Sequence, residues 1–305
     1  MAEKNCHWRI QEYCRYQHLN PVNDPVWHAP IGVFDSGVGG LSVLRALRAE
    51  LPAEAFVYLA DSGHAPYGER DDTHVIARAR TLTRYLLERH RIKALVVACN
   101  TATAAAIHLL RQEFAHLPIV GIEPALKPAV ALTRTGTVGV MATRGTLSSA
   151  KFRGLQASLE NQARFVLQRC DGLADAIERS DATKIEALCS NYTGAMGQFG
   201  SMPGAMDVLV LGCTHYPFAS DVLQRLVGED VRLLEGGAPV ARQTRRRLAE
   251  HGLLHPELAL ADSGTPLLRA YTTGIPAGLQ DALARWLDIR LAVNTPELAA
   301  GQGAC

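Results

Sequence analysis

The sequence predicts an α/β protein built on a mostly parallel sheet, and two observations lead to this prediction. Short apolar runs of strand length alternate along the chain with longer segments in which apolar residues recur at helical spacing. Two of these runs, with the residues that follow them, also recur later in the chain in the same order. Alternating strands and helices are typical of parallel sheets that helices cover on both faces.

The predicted strands are short, apolar and rich in β-branched residues. They cover residues 30–34, 56–60, 94–98, 119–122, 138–141, 208–211 and 231–234. Between the first two, Leu41, Leu44, Leu47 and Leu51 recur at helical spacing, which predicts a helix.

The internal repeat consists of two pairs of strand ends. GVFDS at 32–36 is echoed by GVMAT at 139–143, and VVACNT at 96–101 is echoed by VLGCTH at 210–215. Such a repeat indicates a duplicated α/β unit, with two similar domains facing each other, unless a similarity this short arose by chance.

Composition and charge narrow the class of protein. The chain has 305 residues, of which 48% are hydrophobic, and 31 basic residues balance 30 acidic ones. We expect one large or two medium soluble domains, and a net charge of +1 argues against broad nucleic-acid binding. The sequence lacks an apolar run of about 18 residues and an apolar signal-peptide core in its first thirty residues, so we expect a cytoplasmic protein without a membrane partner.

The chain has seven cysteines, an odd and widely spaced set without a Cys-x-x-Cys pair. This set argues against a disulfide framework.

Residues 1–28 precede the first predicted strand and are interpreted as an appended extension. A metal site could be assembled there on paper, but its spacing fits no standard pattern, so we expect no metal. Its residues would be Cys6, His7, Cys14 and His18.

Cys99 and Cys213 are the strongest candidates for chemistry. Each follows a buried-type strand, and ligands of open α/β sheets bind at the carboxyl ends of strands. A helix beginning just after each cysteine would favour the thiolate and lower the thiol pKa. The alternative is that both are core residues, since cysteine is often buried, but the matched settings of the pair favour chemistry.

Polar residues at other strand ends complete the expected site. His215, two residues after Cys213, could orient or deprotonate the thiol. Asp35 and Ser36 precede three glycines that would let a ligand approach the backbone. That stretch lacks the spacing of dinucleotide loops and P-loops, which argues against nucleotide binding.

Two thiols around a polar cleft suit the inversion of an α-carbon. Inversion needs a base on one face of the carbon and an acid on the other. A thiolate and a thiol can exchange these roles with the direction of reaction. A pyridoxal enzyme would use a lysine, and none of the five lysines falls in an evident site loop.

Four strings of this chain resemble glutamate racemases, a cofactor-independent family. They are VFDSGVGGLS at 33–42, PYGE at 66–69, ACNTA at 98–102 and LGCTHYP at 211–217. The resemblance covers roughly residues 30–275. It implies two pseudo-symmetric α/β domains with the active site between them, and catalysis without metal or pyridoxal. The domains would be residues 29–123 plus 236–305, and residues 124–235.

The resemblance also implies the roles of individual residues. Cys99 and Cys213 would be the acid/base pair, assisted by Asp35 and His215. Glu178 would partner His215, although the segment before it departs from the usual proline-containing run. The residues expected to hold glutamate are Asp35, Ser36, Tyr67, Gly68, Asn100, Thr101, Thr214 and His215.

The implied function is interconversion of L- and D-glutamate, which supplies D-glutamate for peptidoglycan. We expect a homodimer, and the extension is similar to those of racemases that a cell-wall precursor activates. An alternative within the superfamily is a racemase or isomerase of aspartate or another small acid. An alternative of another class is a regulatory binding protein, such as an inhibitor of DNA gyrase.

Overall fold

The computed structural model describes residues 26–256 and 268–298. A short 3-10 helix, Val26–His28, leads into the first strand. Nearly all of the predicted extension lies outside the described residues. So do Cys6, His7, Cys14 and His18, the four residues considered above as a possible metal site. The structure therefore leaves the expectation for that segment untested.

The described strands are numbered in chain order. They are β1 (Ile31–Asp35), β2 (Phe56–Ala60), β3 (Ala94–Val97), β4 (Ile119–Gly121), β5 (Thr137–Ala142), β6 (Arg164–Arg169), β7 (Val208–Gly212), β8 (Arg232–Leu234), β9 (Leu268–Thr272) and β10 (Val293–Asn294). In the first sheet their order is β10-β9-β2-β1-β3-β4, and in the second it is β6-β5-β7-β8. Neighbouring strands in both sheets are parallel.

The two sheets share one topology. The order β2-β1-β3-β4 of the first sheet is repeated by β6-β5-β7-β8 of the second, so that β3 and β7 occupy equivalent positions. This arrangement confirms the predicted α/β class and the duplicated unit.

Helices cover the sheets and connect their strands. They are α1 (Leu41–Glu50), α2 (Asp72–His90), α3 (Asn100–Glu113), α4 (Leu126–Leu132), α5 (Arg144–Ser148), α6 (Ala150–Ala157), α7 (Leu173–Glu178), α8 (Ala182–Met196), α9 (Ser220–Val227), α10 (Gly237–Glu250) and α11 (Pro276–Leu287). None of the helices in the described ranges is long and apolar enough to cross a membrane.

The central strands are apolar because both of their faces are covered. Every residue of β1, β2, β3, β5 and β7 is buried. Leu41, Leu44 and Leu47 of α1, as their helical spacing predicted, are fully buried in the same core. Burial of these side chains holds the strands rigidly, and with them the loops at the carboxyl ends.

The chain leaves the first sheet after β4 and returns to it after β8. On the return, α10 packs against α1, and β9 then pairs with β2. The exact limits given above for the two domains remain a prediction.

The predicted strands were correct within a residue or two at their ends, but three observed strands were not predicted. β6 has the sequence RFVLQR, with charged ends and no fully buried position, because it lies at the edge of its sheet. β9 carries Arg269 among apolar residues, and β10 has only two residues. None of these segments shows the apolar run of a central strand.

Candidate active site

The carboxyl ends of the two sheets face a common pocket, which we call the central pocket. The first sheet contributes Ser36, Pro66, Tyr67, Gly68, Glu69, Cys99, Asn100 and Thr101, and the second contributes Thr143, Cys170, Asp171, Gly172, Ala174, Cys213, Thr214 and His215. Both predicted cysteines therefore line one cavity, and they reach it from equivalent strands of opposite sheets. Asp35 and Glu178 are not part of the lining and lie behind it.

Cys99 caps the amino terminus of α3. Its Sγ accepts a hydrogen bond from the backbone N–H of Ala102 (3.5 Å) and its thiol donates to Ser36 Oγ (3.8 Å). A helix does begin after this cysteine, as expected, but the expected fall in thiol pKa is wrong. Burial and the nearby charge of Asp35 raise the pKa of Cys99 well above its usual range, and the Ala102 N–H opposes them only in part. Cys99 is thus held as the neutral thiol.

Cys213 lies just beyond β7 and contacts an imidazole. Its Sγ is 3.8 Å from Nδ1 of His215. No helix begins directly after this cysteine; a 3-10 helix starts only at Tyr216, and Pro217 occupies its first turn. The loop is instead held by Ser42 of α1, whose hydroxyl donates to the carbonyl oxygen of Thr214 (2.9 Å).

Glu178 lies on the far side of the same imidazole. Its Oε2 is 2.8 Å from Nε2 of His215, and both side chains are largely buried. Burial alone would lower the pKa of His215, but the bonds to Cys213 and Glu178 outweigh it and raise this pKa well above its ordinary value. Burial alone would raise the pKa of Glu178, but the bonds from His215 outweigh it and lower this pKa. The pair is therefore an imidazolium and a carboxylate.

The Glu178 carboxylate also joins the two sheets. The N–H of Val38 donates to Oε2 (2.9 Å), and the hydroxyl of Ser62 donates to Oε1 (2.7 Å). Both donors come from loops of the first sheet, whereas Glu178 ends α7 beside the second sheet. The orientation of His215 consequently depends on the two sheets being held together.

Asp35 is a buried carboxylate behind Ser36. Its Oδ1 accepts from the N–H of Ser36 (2.6 Å), and its Oδ2 accepts from the hydroxyl of Thr214 (3.0 Å). Burial raises the pKa of Asp35, and His215 opposes this rise. The Asp35 side chain is fully buried and lies beside Cys99, behind the pocket lining. That Asp35 helps to hold the substrate remains a prediction.

The glycines after Asp35 make room for side chains of the site. A Cβ at Gly37 would lie 2.3 Å from Oε2 of Glu178, and one at Gly39 would lie 2.3 Å from Nδ1 of His215. The sequence suggested that these glycines admit a ligand to the backbone. The close approach is instead made by the catalytic candidates of the second sheet, which any larger residue would displace.

The remaining predicted residues differ in what they offer a ligand. Asn100 Oδ1 is buried and has no hydrogen-bond partner, so it is an acceptor free to receive an ammonium group. Thr101 Oγ1 is 3.0 Å from Thr143 Oγ1 of the second sheet. Tyr67 lines the pocket, but its hydroxyl donates to Asp61 (2.5 Å) and is not available to a substrate. A Cβ at Gly68 would lie 2.6 Å from Cβ of Thr143, which explains the glycine there.

Sequence reasoning missed Cys170 and Thr143 as lining residues. Cys170 follows β6, and because that strand was not predicted its end was not recognised as part of the sheet edge. Thr143 follows β5 in the repeat of 32–36, and this equivalence to Ser36 was the signal that could have identified it. Across residues 26–256 and 268–298, no group of three His, Cys, Asp or Glu side chains is placed to hold a metal.

Comparison with known proteins gives one family. Residues 31–244 match the model of the Asp/Glu/hydantoin racemase family. The glutamate racemase of Methylococcus capsulatus is 50% identical over 232 residues, which are 75% of this chain and 83% of that protein.

Solved structures give the same result. Glutamate racemase RacE1 of Bacillus anthracis superposes with a TM-score of 0.76 at 31% identity, covering 90% of this chain and 99% of that one. The Escherichia coli glutamate racemase, solved with L-glutamate and the activator UDP-MurNAc-Ala, superposes with a TM-score of 0.75 at 29% identity, covering 89% and 100%. With two parallel sheets, a central pocket that Cys99 and Cys213 line from opposite sheets, and relatives of this kind, the chain belongs to the Asp/Glu/hydantoin racemase family.

Proposed function

We propose that this protein interconverts L- and D-glutamate with Cys99 and Cys213 as its two bases. The observation that supports the proposal most is that two thiols from equivalent strands of opposite sheets line one pocket. Inversion needs a proton acceptor on one face of the α-carbon and a donor on the other. The similarity to glutamate racemases supports glutamate as the substrate.

The neighbours of the two thiols suggest their roles. The Sγ of Cys213 lies 3.8 Å from Nδ1 of His215, which can orient this sulfur. Cys99 lies beside Asp35 and is held as the thiol. For L-glutamate, Cys213 would remove the α-proton with its thiolate while Cys99 gives its own proton to the opposite face. The reverse direction would start from the opposite protonation states.

Polar groups around the pocket would hold the amino acid. The free acceptor of Asn100 suits the α-ammonium group. The hydroxyls of Ser36 and Thr101, which also line the pocket, can rotate to donate to carboxylates, whereas the hydroxyl of Thr214 already donates to Asp35. The substrate carbanion would form among these fixed dipoles, where they are worth more than in water.

The wider role is proposed from the relatives. D-glutamate made by this protein would supply peptidoglycan synthesis, and a cell-wall precursor similar to the UDP-MurNAc-Ala of the Escherichia coli structure would activate it. We further propose a homodimer in the cytoplasm. Native mass spectrometry would give the oligomeric state, and racemisation with and without UDP-MurNAc-Ala would test activation; a monomer, or rates that the compound leaves unchanged, would contradict these points.

The direct test is circular dichroism of L-glutamate incubated with the purified protein and no added cofactor. We expect the signal to decay to zero, faster than with L-aspartate. Cys99→Ser and Cys213→Ser should each lose orders of magnitude in rate while remaining folded, because serine is a far weaker acid and nearly the same size. Near-normal rates in either folded variant would refute the two-thiol assignment, and faster loss of the L-aspartate signal would refute glutamate as substrate.

A further inference from the structure

Asp61 is a second buried carboxylate at the carboxyl edge of the first sheet. It follows β2 directly, and its side chain is fully buried. Its backbone N–H donates to the carbonyl oxygen of Asp35 (2.9 Å), so the two aspartates stand side by side at the ends of neighbouring strands. Unlike Ser36, Asp61 does not line the central pocket.

The Asp61 carboxylate is surrounded by donors from different parts of the fold. Arg78 of α2 binds it with two hydrogen bonds of 2.8 Å, from Nε to Oδ2 and from Nη2 to Oδ1. The hydroxyls of Tyr67 (2.5 Å) and Thr273 (2.8 Å) also donate to it. Nδ1 of His64 lies 3.1 Å from Oδ1. One carboxylate thus joins the end of β2, helix α2, the loop after β9 and the turn that contains Tyr67.

These contacts exclude Asp61 as an acid or base of the reaction. Burial alone would raise its pKa, but the bonds from Arg78 and Tyr67 outweigh burial and lower the pKa. The group is therefore ionised, and both of its oxygens are already occupied by two or more donors. It has neither a proton to give nor an open position to accept one.

What Asp61 does hold is the short 3-10 helix Tyr67–Glu69. Tyr67 is 1% exposed, so its ring cannot turn to another partner without leaving the core. The next residue, Gly68, packs against Thr143 of the second sheet, and Glu69 Oε1 accepts from the N–H of Gly172 (3.3 Å). All three residues of this helix line the central pocket. They form a wall that closes the pocket between the two sheets.

We propose that Asp61 and Arg78 are positioning residues that fix this wall through Tyr67 and thereby set the affinity for the amino-acid substrate. The inference rests on the proposed function of the pocket. A side chain that only positions a binding wall acts in the ground state and the transition state alike. Its loss should raise KM and leave kcat nearly unchanged.

The test compares three variants with a matched control. Tyr67→Phe removes one hydroxyl and keeps the ring, Arg78→Met removes the charged fork, and Arg78→Lys keeps the charge without the fork. The control is Arg80→Met, two residues further along α2, because Arg80 pairs with Glu113 at the surface away from the pocket. Thermal unfolding by circular dichroism establishes that each variant is folded; if Arg78→Met is not, the other two carry the test.

We expect KM for glutamate to rise about tenfold in Tyr67→Phe and Arg78→Met, with kcat within about twofold of the unmodified protein. The KM of Arg78→Lys should lie between those of the unmodified protein and Arg78→Met, because one ammonium nitrogen replaces the two nitrogens of the guanidinium fork. The unmodified protein and Arg80→Met are first assayed for racemisation of glutamate. If the unmodified protein does not racemise glutamate, the proposed function is refuted. If the unmodified protein and Arg80→Met both racemise glutamate, two results would refute the positioning role alone. One is a KM that is unchanged in Tyr67→Phe and Arg78→Lys, and the other is a reduced kcat in place of a raised KM.

Discussion

Replacing Glu178 by glutamine removes one charge and almost no volume. In the native protein its Oε2 lies 2.8 Å from Nε2 of His215, and the two side chains are 18% and 5% exposed, so solvent screens the pair little. A hydrogen bond to a charged group of this kind is worth about 1.5–3 kcal/mol. Since about 1.4 kcal/mol corresponds to a factor of ten in rate, Glu178→Gln should lower turnover by about 10- to 150-fold.

The same substitution should change the pH dependence in one direction. Glu178 is one of the groups that raise the pKa of His215, so its removal lowers that pKa. Activity that requires the imidazolium is retained below the pKa of His215 and is lost as the pH rises through it. The alkaline limb of the profile of kcat should therefore shift to lower pH in the variant.

The assay is the initial rate of racemisation of L-glutamate by circular dichroism across neutral and alkaline pH. A suitable control is Glu186→Gln, because Glu186 is half exposed and pairs with Arg225 at the surface. Native turnover and a native alkaline limb in folded Glu178→Gln would refute the role given to the His215–Glu178 pair.

Three further results are expected. Gly37→Ala should lower turnover as Glu178→Gln does, because the added Cβ displaces the Glu178 carboxylate; native kinetics would show that the carboxylate needs no such space. Lys93→Met should destabilise the fold by about 3–5 kcal/mol in urea unfolding, because it removes the ion-pair partner of Glu54 in the core; a loss below about 1 kcal/mol would contradict this account of the pair. Asp35→Asn should lower kcat more than it raises KM, since Asp35 lies behind the pocket beside Cys99; a rise in KM alone would make it a substrate ligand.

The central strands of the fold were predictable because burial on both faces leaves a plain apolar signal. β1 and β2 illustrate this, since every residue in them is buried. The edge strand β6 could not be predicted in the same way, because each of its residues is exposed or only half-buried. Where a strand lacks a covered face, its pairing with neighbours decides the structure, and single-sequence patterns do not contain that pairing.

The site was predictable where its residues stand at the ends of central strands. Cys99, Cys213 and His215 all belong to this class. The hydrogen-bond network behind these residues was not predictable, because bonds such as that from Ser62 to Glu178 join residues far apart in the chain. The raised pKa of Cys99 could not be predicted from the sequence either. A helix terminus lowers the pKa of a thiol, but burial and the charge of Asp35 outweigh this effect. Burial is known only from the folded structure.

The central claim is that two thiols act on opposite faces of one α-carbon, and racemisation in heavy water tests it most directly. One base that swings between faces could return the abstracted proton, whereas with two cysteines the incoming hydron comes from the second thiol, which exchanges with solvent. D-glutamate formed from L-glutamate should therefore carry deuterium at the α-carbon from the first turnover, while the remaining L-glutamate gains little. Early D-glutamate that retains the original hydrogen would contradict the account.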